Sequence, residues 1–274
     1  MEQVESTPPV VAAYTQQPPV PSAAVAATSG IVPQNENRIV DTQNQSRSVD
    51  AVLRQIASEA SEEIPEFVGD DFVAQRTANE AIGYDRRPRI LLGVSGSVAT
   101  VKLSVVVKQL LEWADVHIVS SNSARHFFKD ADLPPSCLPV LTDEDEWRNW
   151  SRVGDPVVHI ELRRWADAFI IAPLSANTLA KLATGMCDNL LTCVVRAWNF
   201  AKPLIVAPAM NTYMWTSPFT EKHLSACQDL GVIVVPPVSK KLACGDVGVG
   251  GMAPPETIVE MARQSLQQAG FQLS

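Results

Sequence analysis

Apolar residues gather into short runs at five places: Ile90–Val94, Val116–Val119, Ala168–Ala172, Pro203–Ala207 and Val232–Val235. Each run is bounded by polar, glycine or proline positions, the pattern of a strand buried on both faces. Between them the apolar spacing turns helical, from Val98 to about Glu112, after Thr178, over Leu190–Trp198 and over Ile258–Gln268. Alternating strands and helices predict an α/β fold, a parallel sheet with helices on both faces. The stretch 190–198 is apolar nearly all round, which predicts a helix buried in the core or under a partner subunit. Further upstream, Val49, Val52, Leu53, Ile56 and Ala60 fall on one face of a helix over 48–64, closed by Pro65. Residues 1–47 are rich in Pro, Gln, Ala, Ser and Thr, a composition that predicts disorder.

Small polar side chains recur where the runs end, and in an open α/β sheet ligands sit beyond the carboxyl ends of the strands. Ser95, Gly96, Ser97 and Val98 follow the first run. A strand, a small-residue turn and a helix make an anion site, because backbone N–H groups and the helix dipole face the ligand. A helix cap with no ligand has the same sequence, and the turn is neither G-x-G-x-x-G nor a Walker loop. Ser121 and Ser123 follow the second run, and Ser175, Ala176, Asn177 and Thr178 the third. Met210 and Asn211 follow the fourth. Four such ends predict one phosphorylated ligand with a hydroxylated chain. Asn211 offers donors for a carboxylate and no proton to transfer at neutral pH. Residues 240–251 carry four glycines after Cys244 and little bulk, which predicts a mobile flap. The acidic run Asp143–Glu146 has the form of a solvated helix start.

Charge divides the chain. Residues 1–85 hold 13 acidic residues against 4 arginines and no lysine, whereas 86–274 hold 17 acidic and 18 basic residues. The two parts are read as an acidic, largely disordered N-terminal extension and a folded α/β domain. The near-neutral domain has no basic stripe, so nucleic acid is not an expected partner. The 5 cysteines are widely spaced, with no C-x-x-C, and the 4 histidines do not cluster. Neither a disulfide framework nor a metal site is expected. No leader pattern and no run near the ~20 residues of a membrane span is present, so a cytoplasmic protein is expected.

The segments GSVA (96–99), HIELRRWAD (159–167), APLSANTLAKLATGMCDNLLTCVVRAW (172–198), PAMNTYMW (208–215) and LACGD (242–246) resemble the homo-oligomeric flavin-containing cysteine decarboxylases. The resemblance covers roughly 88–262, and 1–85 have no counterpart in it. It implies a Rossmann-like (flavodoxin-like) homotrimer with FMN at the subunit interfaces, bound by Gly96, Ser97, Val98, Ser121, Ser123, Ser175, Ala176, Asn177, Thr178 and Met210. The implied reaction takes (R)-4′-phosphopantothenoyl-L-cysteine to 4′-phosphopantetheine in coenzyme A synthesis. Oxidation of the thiol to a thioaldehyde gives the released electrons a C=S sink, and the resulting enethiolate is protonated and reduced. On this resemblance His159 is the base, Cys244 the acid, and Asn211 the carboxylate holder. Ala243 and Lys241 would contact substrate, Lys241 at its phosphate. Cys187 and Cys193 lack this context and are read as buried small hydrophobes. Thr100, Gly251 and Pro254 depart from the family pattern around the turn and flap. The rival readings are a phosphatase-inhibitory regulatory flavoprotein, whose acidic tail would meet a protein partner, and a peptidyl-cysteine decarboxylase. A flavin prenyltransferase would have no need of Cys244.

Overall fold

The computed structural model describes residues 40–61, 86–148 and 150–273, with side chains in the first segment from 49 to 60. Helix α1 (Val40–Ser61) comes first and belongs to the compact unit Ile39–Ser274. It begins eight residues before the predicted 48–64 helix, whose last three positions, 62–64, lie outside the described residues. Residues 40–47, expected to be disordered, are therefore helical; that expectation for 1–39 lies outside the described residues.

Five strands follow, β1 (Arg89–Val94), β2 (Asp115–Ser120), β3 (Ala168–Leu174), β4 (Leu204–Pro208) and β5 (Ile233–Val234). All pair in parallel, in the order β2-β1-β3-β4-β5. This is the flavodoxin-like order, whose direction reverses between β1 and β3 and opens a crevice at their carboxyl ends. The continuous apolar runs reflect burial on both faces, since every residue of β3 and β4 is buried. Alternation along the strands splits the interior in two. Ile90, Leu92, Ile170 and Ile205 face the helices α2 (Leu103–Leu111) and α9 (Pro255–Gln268). Leu91, Phe169, Ile171 and Val206 face α1, α4 (Val158–Trp165), α5 (Ala176–Thr184) and α6 (Leu190–Arg196). The apolar helix expected at 190–198 is thus largely core: Leu190, Leu191, Val194 and Val195 are buried, and Asn189 caps it.

The remaining helices are short: α3 (Asp143–Arg148), α7 (Thr212–Trp215) and the longer α8 (Pro218–Asp229). Residues 240–251, expected to be a mobile flap, lie in an antiparallel hairpin of β6 (Val238–Lys241) and β7 (Val247–Gly251). Cross-strand pairing supplies order that the glycine-rich sequence does not advertise. The hairpin is pinned to the end of β4, where Met210 N–H donates to Gly250 O at 2.9 Å. Gly250 has φ +145°, and a Cβ there would stand 2.3 Å from the Met210 oxygen, so only glycine fits.

Candidate active site

The crevice between β1 and β3 is closed by Ser95, which is fully buried. Its hydroxyl donates to Pro173 O and accepts from Ser175 N–H, both at 2.8 Å. Ser95 is therefore a staple between strands rather than the ligand donor its sequence position invites. Thr100, a departure from the family pattern, is buried and donates to Ser95 O at 3.2 Å. Gly96 makes a close approach: a Cβ there would lie 2.3 Å from Ser123 Oγ. The turn after β1 and the serines after β2 thus meet, with Ser121 and Ser123 hydroxyls 3.1 Å apart. Ser97 caps the 3₁₀ turn Val98–Lys102 and donates to Ala209 O at 3.2 Å. Ser175 caps α5, accepting from Thr178 N–H and donating to its hydroxyl. Ala176 is half-buried, Asn177 exposed, Thr178 buried, and Met210 buried beside the hairpin. The ten residues expected at one ligand therefore come from the carboxyl ends of four adjacent strands, and Val98 keeps an exposed apolar side chain there.

Asn211 caps α7 through Oδ1, which accepts from Tyr213 N–H at 2.8 Å. That bond fixes the orientation of the amide and turns Nδ2 outward. Nδ2 donates to Asp246 Oδ2 at 2.7 Å and to Cys244 Sγ at 3.0 Å. The Cys244 thiol in turn donates to Asp246 Oδ2 at 3.3 Å. Hydrogen bonds from Asn211 first and then Cys244 hold the Asp246 carboxyl below its usual range. Two residues predicted as partners, 33 positions apart, are thus in contact, joined by an aspartate the site prediction omitted.

His159 is not hydrogen-bonded to this cluster. Its Nδ1 is bonded to Glu146 Oε1, from a glutamate that is buried. The acidic run is therefore not a solvated helix start. Asp145 accepts from Thr142 N–H at 2.8 Å, Asp143 accepts from Leu190 N–H at 2.8 Å, and only Glu144 is exposed. Cys187 and Cys193 also depart from expectation, the first exposed and the second half-buried. Burial, then the nearby Glu146 charge, pushes the Cys193 thiol up to about 11.

On the hairpin, Lys241 and Ala243 are exposed, while Lys240 is half-buried. Lys240 lies back across Gly251, where a Cβ would fall 2.2 Å from its Cε. Burial and the neighbouring Lys102 charge hold the Lys240 ammonium below the usual lysine range. Pro254 precedes Pro255, which opens α9 at its first position. Among the described residues no helix is long and apolar enough to cross a membrane.

The family described as Flavoprotein matches residues 79–267. A probable phosphopantothenoylcysteine decarboxylase of Arabidopsis thaliana is 58% identical over 178 residues, 65% of this chain and 88% of that protein. The solved structure of a cysteine-to-serine PPC decarboxylase mutant complexed with pantothenoylaminoethenethiol is 53% identical, with a TM-score of 0.65. It covers 66% of this chain and 100% of its own. The FMN binding protein AtHal3 is 54% identical with a TM-score of 0.63, over 67% of this chain and 98% of its own.

Proposed function

This chain belongs to the flavoprotein family, and from that premise we infer that it decarboxylates (R)-4′-phosphopantothenoyl-L-cysteine to 4′-phosphopantetheine, an FMN-dependent step of coenzyme A biosynthesis. The observation that carries the chemistry is the convergence of the Asn211 amide and the Cys244 thiol on one carboxylate at the carboxyl edge of the sheet.

The residues present fit FMN. The Gly96–Ser123 approach leaves a turn lined by small groups, in the strand order that binds such ligands at this crevice. Gly96, Ser97 and Val98 would hold it with Ser121, Ser123, the Ser175–Thr178 segment and Met210. When bound, FMN supplies the two-electron oxidation of the substrate thiol and the later return of those electrons.

The chain's own residues position and move protons. Glu146 takes the Nδ1 side of His159, which leaves Nε2 to accept the thiol proton. Asn211 Nδ2 presents hydrogens that already take a carboxylate, that of Asp246. Seating the substrate carboxylate there exchanges that contact, and the neutral amide orients a charge that must be lost as carbon dioxide. The bonding pair released by C–C cleavage moves into the C=S group of the oxidised substrate. Cys244, a hydrogen-bond donor in this arrangement, then delivers its proton to the enethiolate.

We also propose a cytoplasmic homotrimer in which a second subunit completes the FMN site. Its support is the exposure of Val98, Val101 and Val105 beside the Gly96 turn and of Tyr213, Met214 and Phe219 after Asn211, since exposed apolar groups mark association surfaces.

Purified protein should be yellow and should convert phosphopantothenoylcysteine to phosphopantetheine with release of carbon dioxide. Colourless protein that fails to take up added FMN would overturn this reading.

A further inference from the structure

We propose that α1 is a positioning element for His159 of the Glu146–His159 pair, fastened along α4, the short helix that carries it. This rests on His159 being the base of the reaction above. Helix α1 lies outside the flavoprotein match, which begins at residue 79. A solved relative is matched over its whole length by 66% of this chain, about the extent of that family match. Helix α1 is thus an addition to the part of the chain that the family match covers.

The addition is nevertheless built into the core. Val49, Leu53 and Ile56 are 4%, 5% and 0% exposed and share a cluster with Val158, Leu162 and Trp165 of α4. Near its end, Glu59 accepts from Trp165 Nε1 at 3.0 Å and pairs with Arg89 at 3.3 Å, at the start of β1. Gln55 donates to the other oxygen of Glu59 at 2.8 Å, which fixes the carboxylate. Near the middle of α1, Val49 borders a cavity of about 240 Å³ shared with Thr142, Asp145 and Arg148. Asp50, Leu53 and Arg54 border a second, of about 420 Å³, with Arg148, Ser151 and Asp155. Helix α1 therefore packs on α4, which carries His159, and faces α3, which carries Glu146, across these two cavities.

Such a brace has a physical reason. Helices α3 and α4 are 6 and 8 residues long. Helices so short are held by packing rather than by their own propensity. The bond between Glu146 and His159 crosses from one to the other, so its geometry depends on what fixes them together. The aliphatic face of α1 and the Glu59 contacts hold α4, and with it the His159 side of that bond, against the core and the start of β1.

The test uses the full chain loaded with FMN. In Ile56→Asp a charge enters a fully buried site, and hydrogen exchange over 49–60 should lose its protection. The flavin spectrum and KM should stay unchanged while kcat falls about tenfold, the scale of a small misplacement of a catalytic group. Ile56→Val, which keeps the apolar contact, should restore protection and rate. An unchanged kcat with α1 released would overturn the positioning role. Continued protection of 49–60 in Ile56→Asp would overturn the docking itself. If the unmodified chain binds FMN but has no decarboxylase activity, the reading of the site fails. The docking of α1 then still stands or falls on the exchange data.

Discussion

The Glu146–His159 pair and the Asn211–Cys244–Asp246 cluster are built in opposite ways. The first is set into the core. Glu146 is buried, and His159 stands on a helix whose inner face, Leu162 and Trp165, is buried too. The second joins Asn211, the cap of α7, to Cys244 and Asp246 on a glycine-rich hairpin, with Cys244 exposed and the hairpin tied to β4 by the Met210–Gly250 bond. A base that must present one particular nitrogen gains from a fixed partner. An acid that must admit a substrate and then meet its carbon gains from an element with few ties. On the roles proposed above, oxidation of the thiol falls to the core region, and carboxylate seating and final protonation to Asn211 and the hairpin.

Removing the proposed base should give the largest effect. We expect His159→Asn to slow thiol oxidation about 10²–10⁴-fold, the usual worth of a positioned base. Stopped-flow loss of flavin absorbance reads this step. The same step should keep its rate in Cys244→Ser; equal slowing in both variants would break the division.

Next, Asn211→Asp places a carboxylate against the substrate's own. Two such charges about 4 Å apart cost about 4 kcal/mol at an effective dielectric of 20, or about 10³-fold in kcat/KM. Steady-state kinetics checks it, with the flavin spectrum as the control for folding.

The core region also carries a half-buried titratable group. Its partial burial drives His117, whose ring is tilted against Trp165 at 4.3 Å, down to about 4, although Glu59 and Asp115 favour its charged form. The folded state therefore prefers the neutral ring. Its stabilisation is complete above the unfolded value near 6.5 and is lost as pH falls from there towards 4, by about 3 kcal/mol. Chemical denaturation across that window should show the slope, and His117→Phe should flatten it.

The smallest expected effect is that of Gly250→Ala. Its strained φ and the Met210 oxygen in the way should cost about 1–3 kcal/mol. The loss should fall on the hairpin: product formation slows while flavin bleaching by substrate persists, as rapid-quench analysis beside stopped flow would resolve.

The strands β1, β3 and β4 were legible because burial on both faces leaves an unbroken apolar run. The hairpin was not, because its order comes from pairing Val238–Lys241 with Val247–Gly251 rather than from local pattern. The start of α1 was hidden by the polar stretch DTQNQSRS, which has no apolar stripe. Ser95 looked like a donor because a sequence marks the end of a strand but not the carbonyl across the crevice. Asn211 and Cys244 were identified together by resemblance, and Asp246 stood unweighed in the same LACGD segment. Glu146 lies 13 residues from His159, across a stretch without helical or strand spacing, so no period could pair them.

Mass-resolved single turnover of the Cys244→Ser variant, with carbon dioxide counted, tests the division most directly. Carbon dioxide should be released at the normal rate, and the organic product should be lighter than phosphopantetheine by two hydrogens, the unreduced enethiol. A normal yield of phosphopantetheine, or no carbon dioxide at all, would contradict the assignment of Cys244 and with it the separation of the two regions.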